Sequence, residues 1–243
     1  MRQRLRVGCG LALLCAAAMA FAAPAAKKTT SRHRTHTVYL GPVKAVSYSK
    51  EGDPAGAEPG ETTLAVRTLD VDGQQKEWVT GDLHDVTERS FVIRRALRLN
   101  DSLPTDKKMA WVWQRGPWLL VDRTTGRVTA LKLPDYSPAV SQVVWYRDYG
   151  AYCGVTPSEK TLYAMVAQLT VRRAVLRKRL ETFDPADSQQ ACGPAEWQRD
   201  PMRVTFHPAG KDAVSFDIVA GSAVLVESDS DGAETPQPAQ KPQ

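Results

Sequence analysis

A mainly β fold of antiparallel meanders is predicted, with a flexible N-terminal arm and a flexible C-terminal tail. The clearest strand is 90–99, where Phe91 and Ile93 lie on one side and Arg94 and Arg98 lie on the other. Alternation with a period of two is the pattern of a half-buried strand. Further β-prone segments are separated by short turns rich in glycine, as expected for strands that run back and forth beside one another.

The first predicted hairpin joins strands at 64–71 and 76–80. Between them, Asp72-Gly73 supplies the positive φ that a tight turn demands. Residues 111–133 predict a three-stranded meander, with a turn at 114–117 and a second turn closed by Gly126. Its predicted strands are 111–113, 118–121 and 128–133.

Near the C-terminus the sequence repeats short strands around a glycine turn at 208–211. The predicted strands there are 203–206, 214–219 and 223–227. Other stretches are rich in Gly, Pro and charged residues or irregular in pattern, which is typical of loops. The predicted loops are 50–62, 100–108 and 184–201.

The segment 156–183 fits two structures. Thr156-Pro157-Ser158-Glu159 is a good helix start, and apolar residues follow at helical spacing. The alternative is a hairpin with strands at 161–169 and 174–180. Tyr163 and Val166 favour strands, as does the surrounding pattern, so we predict strands.

Two segments carry a resemblance to a known family. Val144-Trp145-Tyr146 followed by 150–168, and the run from Val204 to Lys211 followed by 214–218, resemble blades of β-propellers of the WD or TolB type. In those blades a strand runs into a Pro- and Gly-containing turn and then into a second strand. The resemblance implies propeller-blade-like sheets and a binding platform, and a sandwich is the alternative arrangement.

The N-terminus has the pattern of a cleaved secretory signal peptide at 1–22. Three arginines in the first six residues precede an uncharged apolar run at 7–22, and Ala20-Phe21-Ala22 offers the small-residue cleavage site. The run is shorter than the roughly 20 residues that span a bilayer, so no transmembrane span is expected in the mature chain. We therefore expect a periplasmic or secreted protein.

Charge is concentrated at the ends of the chain. The net charge of +5 comes from the leader and from a basic arm at 23–37, whereas the tail at 228–243 is acidic and rich in Pro and Gln. The single domain predicted at 38–227 is nearly neutral, which argues against a nucleic-acid partner. The partner expected instead is a protein or an envelope polymer.

Cys153 and Cys192 are the only cysteines left after removal of the leader. A lone pair in an oxidising compartment is usually a disulfide, which we predict here. No metal site or cofactor is expected. His33 and His36 lie in the basic arm, where neighbouring arginines repel cations, and the Asp-rich segments at 70–73 and 229–232 lack the closing Glu of a calcium loop.

The leading hypothesis for function is a non-enzymatic binding or scaffolding module of the cell envelope, because no hydrolase, nucleotide-binding or zinc-protease motif is present. The alternative is an envelope hydrolase with a site assembled from scattered residues. Asp82, His84 and Asp85 are its candidates, since a carboxylate can orient and polarise an imidazole. A polar turn at 81–85 explains the same residues and is the preferred interpretation.

Overall fold

Fifteen β-strands and one 3-10 helix (Pro54–Gly56) make up the described part of the computed structural model, residues 36–156, 160–169, 171, 173–182, 192–219 and 222–226. The strands are β1 (Val38–Leu40), β2 (Lys44–Ser47), β3 (Thr63–Val71), β4 (Gln74–Thr87), β5 (Ser90–Asn100), β6 (Trp111–Asp122), β7 (Arg127–Ala130), β8 (Val144–Tyr146), β9 (Tyr149–Thr156), β10 (Thr161–Gln168), β11 (Ala174–Thr182), β12 (Glu196–Gln198), β13 (Arg203–Phe206), β14 (Val214–Val219) and β15 (Ser222–Val226). These residues contain no α-helix, which confirms the predicted mainly β class.

The first sheet contains β1 to β7, and every pairing between its strands is antiparallel. Its order is β1-β3-β4-β5-β6-β7, with β2 beside β3. β1 and β2 lie end to end along one edge of β3. The turn from β3 to β4 has positive φ at both Asp72 and Gly73, as the Asp-Gly pair predicts.

One predicted turn in this sheet, at 114–117, is wrong, because those residues lie inside the continuous strand β6. The pairing with β5 skips at this point, from Arg94 opposite Trp118 to Ala96 opposite Arg115. Pro117 has no N–H to donate, and an irregularity in the ladder is where a strand tolerates such a residue.

The polar turn predicted at 81–85 is also wrong. These residues lie inside β4, where the pairing with β5 jumps from Val79 opposite Arg95 to Leu83 opposite Ile93. A bulge and a turn use the same residue types, since both need glycine and polar side chains that reach water. The sequence of this segment therefore marked a bulge within a long strand.

The second sheet is a meander of four consecutive strands, β8-β9-β10-β11, and confirms the strand prediction for the described residues of 156–183. The central strand β10 is buried on both faces. Leu162 and Val166 pack on one side, and Tyr163 and Met165 pack on the other. A strand with two buried faces is apolar throughout, so it lacks the alternation that separates strand from helix.

The third sheet is also a consecutive meander, β12-β13-β14-β15. Its first strand, β12, lies within 184–201, so the loop prediction for that stretch is wrong at Glu196–Gln198. Three residues at a sheet edge are too few to show a periodicity, which explains the error. Residues 184–191 of the same stretch lie outside the described residues.

Two apolar clusters hold the second sheet between the other two. One cluster joins it to the third sheet and includes Phe206 and Phe216. The other joins it to the first sheet through Val92 and Trp118. Burial of aromatic side chains contributes most to cores of this kind, so the three sheets stabilise one another.

The first sheet is strongly curled around a third apolar cluster on its concave face. Strands at both of its edges contribute to this cluster, Val38 from β1 and Val128 from β7, together with central residues such as Ile93. At the turn after β6, a side chain on Gly126 would meet Val71 at 2.7 Å, and φ there is +65°. Glycine therefore lets this turn approach the opposite edge of the sheet.

The second and third sheets are four-stranded meanders, the strand arrangement that a propeller blade also has. The resemblance to propellers stays a prediction. The predicted signal peptide at 1–22, all but two residues of the predicted arm at 23–37, and the predicted tail at 228–243 lie outside the described residues.

Candidate functional site

The three candidates for a hydrolase site have separate partners. The Nε2 atom of His84 donates a hydrogen bond to the carbonyl oxygen of Arg147, at 2.8 Å. The carboxylate of Asp85 pairs with Arg123 instead, with Nη2 and Oδ1 2.7 Å apart. Asp82 contacts neither of these groups, so the structure does not join the three candidates into an acid–base pair.

Asp82 belongs to a polar cluster around Arg115. Arg115 donates two hydrogen bonds to Glu61 and one to the Tyr48 hydroxyl, and its Nε lies 3.8 Å from the Asp82 carboxylate. Its guanidinium also lies over the Tyr48 ring, 4.8 Å from the centroid. Burial raises the pKa of Tyr48. The cluster fixes the loop 50–62 to the first sheet.

A buried ion pair lies beside this cluster. Asp53 is fully buried, and Arg94 Nη2 lies 3.0 Å from its Oδ2 atom. Arg94 also donates from Nε to the carbonyl of Gly116. Burial raises the pKa of Asp53, and the positive charges of Arg94 and Arg115 oppose this shift.

Tyr136 extends the buried polar region toward the second sheet. Its hydroxyl is buried beside the charged groups of Asp53 and Arg94. Burial raises the pKa of Tyr136 to about 12, so the phenol stays neutral. The Asp53 carboxylate and the Tyr136 hydroxyl are buried, so we assign the region a structural role in joining the loop and the sheets.

The predicted disulfide is present between Cys153 in β9 and Cys192. Both residues are buried in the core between the second and third sheets. Cys192 also forms a β-bridge with Pro208 in the turn after β13. The bridge therefore ties the start of the third sheet to the centre of the second.

The described residues contain no group of three or more His, Cys, Asp or Glu side chains able to hold a metal ion. His36 pairs with Asp72 instead, with Nδ1 and Oδ2 2.8 Å apart. His33 and the Asp-rich segment at 229–232 lie outside the described residues.

The end of the β5–β6 hairpin forms a two-stranded ribbon that extends into solvent. We call residues 98–112 the ribbon. Its two strands pair with each other through Asn100 opposite Trp111, and the pairing of β5 with β4 ends at Arg95. Four apolar side chains are exposed on it: Leu99, Leu103, Met109 and Trp111. Exposed apolar side chains grouped in this way typically mark an interaction site.

Hydrogen bonds within the ribbon hold its loop in one conformation. The Ser102 hydroxyl donates to the carbonyl of Lys108 and accepts from the amide of Ala110. The amide of Leu103 donates to the Asp106 carboxylate at 2.8 Å. A loop organised before it meets a partner loses less conformational entropy on binding.

The ribbon also carries three cationic side chains, Arg98, Lys107 and Lys108. The guanidinium of Arg98 lies over the Trp111 ring, 4.8 Å from its centroid, and Lys107 and Lys108 lie in the loop. With Asp101 and Asp106, the ribbon carries a net charge of +1. The ribbon therefore combines exposed apolar side chains with a small excess of positive charge.

Sequence reasoning missed both the ribbon and the buried ion pair. Leu103 and Met109 in a loop that also holds two lysines were a signal for the ribbon, because loops seldom expose large apolar side chains without a use. No signal marked Asp53, which is one of several acidic residues in a Gly- and Pro-rich segment. Its partner lies 41 positions away and is found only through the fold.

Comparison with known protein families, with curated proteins and with solved structures finds no match. None of the described residues forms a helix long and apolar enough to cross a membrane. The fold and the sites define a disulfide-bonded protein of three antiparallel sheets, with an ordered apolar ribbon on its surface.

Proposed function

We propose that this chain is an exported, non-enzymatic binding module of the cell envelope that attaches to an anionic lipid surface through the ribbon. The observation that carries the proposal is the exposure of Leu103 and Met109, whose side chains are 66% and 73% accessible, in a loop held by its own hydrogen bonds. Export follows from the leader-like segment at 1–22, and the disulfide is compatible with an oxidising compartment.

The shape of the ribbon favours a lipid surface over a protein partner. Stable protein interfaces bury about 800 Å² on each partner, and the ribbon offers a convex end with four apolar side chains. A fluid bilayer needs no complementary pocket to accept a convex apolar element. Burial of each methylene group contributes about 0.8 kcal/mol, so two or three inserted side chains give measurable binding.

The residue types of the ribbon fit an interface between water and lipid. Trp111 is the residue type that concentrates at membrane interfaces, where an apolar ring and a polar N–H are both accommodated. Arg98 and the two lysines extend their charges past apolar stems, which lets them reach headgroups. The net charge of +1 favours anionic headgroups, although insertion of the apolar side chains supplies most of the free energy.

Vesicle binding of the mature chain tests this proposal. The double variant Leu103→Ser and Met109→Ser removes exposed side chains that pack against nothing buried, so the fold should persist. We expect its partition coefficient on vesicles containing anionic phospholipid to fall at least tenfold. The matched control is Val43→Ser with Val224→Ser, which removes apolar side chains of similar exposure, 60% and 56%, from other parts of the surface.

High salt distinguishes membrane binding through the ribbon from binding through the basic arm at 23–37. Salt screens the charges of the arm but does not prevent insertion of apolar side chains. We expect wild-type binding to persist in high salt and the double variant to lose it. The proposal is wrong if the double variant binds as tightly as the wild type, or if all binding disappears with salt. Binding to an envelope protein that survives removal of lipid would also overturn it.

A further inference from the structure

The concave face of the first sheet contains an open cavity of about 320 Å³. It lies between β4 and β5 on one side and β7 on the other. Its apolar wall includes Leu119, Val128 and Ala130, and its polar wall includes Lys76, Glu77 and Arg95. The volume is at the lower end of the range typical of small-molecule sites, about 300–1,000 Å³.

Arg95 is unusual because it interrupts the apolar side of β5. Phe91 and Ile93, on the same side of the strand, are buried in the cluster that the sheet curls around. Arg95 continues that row into the cavity and pairs through Nε with Glu77 Oε2, at 2.8 Å. Its two Nη groups make no hydrogen bond with the described residues.

The charge of the cavity suits an anion. Arg95 and Lys76 carry two positive charges against one negative charge on Glu77, so the polar wall has a net charge of +1. Among the described residues, the Lys76 ammonium has only the side-chain amide oxygen of Gln74 as a partner, at 3.2 Å. A single carboxylate would neutralise this wall and accept the hydrogen bonds that Arg95 has left to donate.

We propose that this cavity binds a small monocarboxylate with an aliphatic chain. The carboxylate lies against the Nη groups of Arg95 and near Lys76, and the chain lies along Leu119 and Val128. The site is distinct from the ribbon, which occupies the far end of the β5–β6 hairpin.

Hexanoate is a probe of the right size and charge for this test. In a titration of the mature chain followed by two-dimensional amide NMR, we expect saturable shifts at residues 76, 77, 95, 119 and 128. Hexanol and hexylamine carry the same chain without the negative charge, and we expect neither to saturate the site. Absence of saturable shifts with hexanoate, or equal binding of hexylamine, would overturn the proposal.

Variants of the ion pair identify the group that binds the carboxylate. We expect Arg95→Met to raise the dissociation constant of hexanoate at least tenfold and Arg95→Lys to raise it less. Glu77→Gln removes the negative charge that competes for Arg95 and makes the wall more positive, so it should tighten binding. The matched control, Arg89→Met, removes an exposed arginine of the β4–β5 turn and should change nothing.

The Glu77 variant keeps the test decisive if Arg95→Met fails to fold. A purely structural ion pair predicts that Glu77→Gln weakens the fold and does not improve hexanoate binding. Unchanged or weaker binding by that variant, with its fold intact by circular dichroism, contradicts the proposal.

Discussion

The guanidinium of Arg94 lies 3.0 Å from the carboxylate of Asp53, and both side chains are buried where the loop 50–62 meets the first sheet. Moving either charge out of water is costly, and the attraction between the two charges offsets part of that cost. The same loop donates from the amide of Ala55 to the carbonyl of Pro138, in the segment that leads to the second sheet. The ion pair therefore stabilises a junction between two sheets.

Replacing Arg94 by methionine should destabilise the protein by about 3–5 kcal/mol, because it removes the cation in direct contact with the buried carboxylate of Asp53. Urea denaturation of the mature chain measures this loss. In a double-mutant cycle with Asp53→Asn, the double variant should lose less than the sum of the single variants, by about 0.5–3 kcal/mol.

Arg203→Met is the control for this cycle, since the Arg203–Asp217 pair is more accessible to water. We expect a much smaller loss there, because solvent screens exposed pairs. If the stability losses of Arg94→Met and Asp53→Asn simply added in the double variant, the two charges would not stabilise each other.

Asp53 should also make stability fall as pH rises above the ordinary aspartate pKa of about 3.9. Burial raises its pKa in the folded state, so between the two pKa values the folded protein binds more protons than the unfolded chain. Stability decreases with pH across that window and is level above it. The free energy of unfolding of the wild type minus that of Asp53→Asn, measured at several pH values, should follow this trend.

Asp217 provides a control of opposite sign for the pH series. Its hydrogen bonds with Arg203 lower its pKa, so its contribution is present at neutral pH and is lost on acidification. The free energy of unfolding of the wild type minus that of Asp217→Asn should therefore increase with pH over the acidic range. If the two differences changed in the same direction, the assignment of the trend to Asp53 would be wrong.

Most strands of this fold could be predicted from sequence because they have one buried face or end in a glycine turn. The Asp72-Gly73 turn and the strand around Ile93 are examples. Errors occurred where a long strand contains a bulge, as at Pro117 in β6, because local residue preferences are the same for bulges and turns. The central strand β10 was ambiguous for another reason, since both of its faces are buried.

The sites depended on contacts that no local pattern reveals. Asp53 and Arg94 meet through the fold, and the cavity beside Arg95 exists because the first sheet curls until β7 approaches β4. Arg95 was visible in the sequence as an interruption of an apolar row, but the partner that explains it, Glu77, lies on the neighbouring strand. Sequence alone gives the residue types and leaves their partners open.

Mature protein recovered from the envelope should begin near Ala23. The apolar run at 7–22 ends in Ala20-Phe21-Ala22, the small-residue pattern that signal peptidases cleave. Intact mass spectrometry of the native protein measures the first residue directly. An intact Met1 in the envelope fraction would remove the basis for the proposed export.

Loss of the Cys153–Cys192 disulfide should lower stability by roughly 4 kcal/mol in the chain-entropy model, because the bridge closes a loop across 39 positions. That is a large share of a typical folding free energy of about 5–15 kcal/mol. Cys153→Ala with Cys192→Ala should therefore melt at a lower temperature than the wild type. It should also be cleaved faster by protease within 184–201, since the third sheet begins there.

Reduction distinguishes the stability contributed by the disulfide bond from that contributed by the packing of the two cysteine side chains. A reducing agent should lower the melting temperature of the wild type and leave the double alanine variant unchanged, because only the wild type has a bridge to lose. Both cysteines are buried, so labelling must be done on the unfolded, non-reduced protein. Two free thiols in that sample would show that the bridge does not form in the native protein, and the bridge would then contribute nothing to stability.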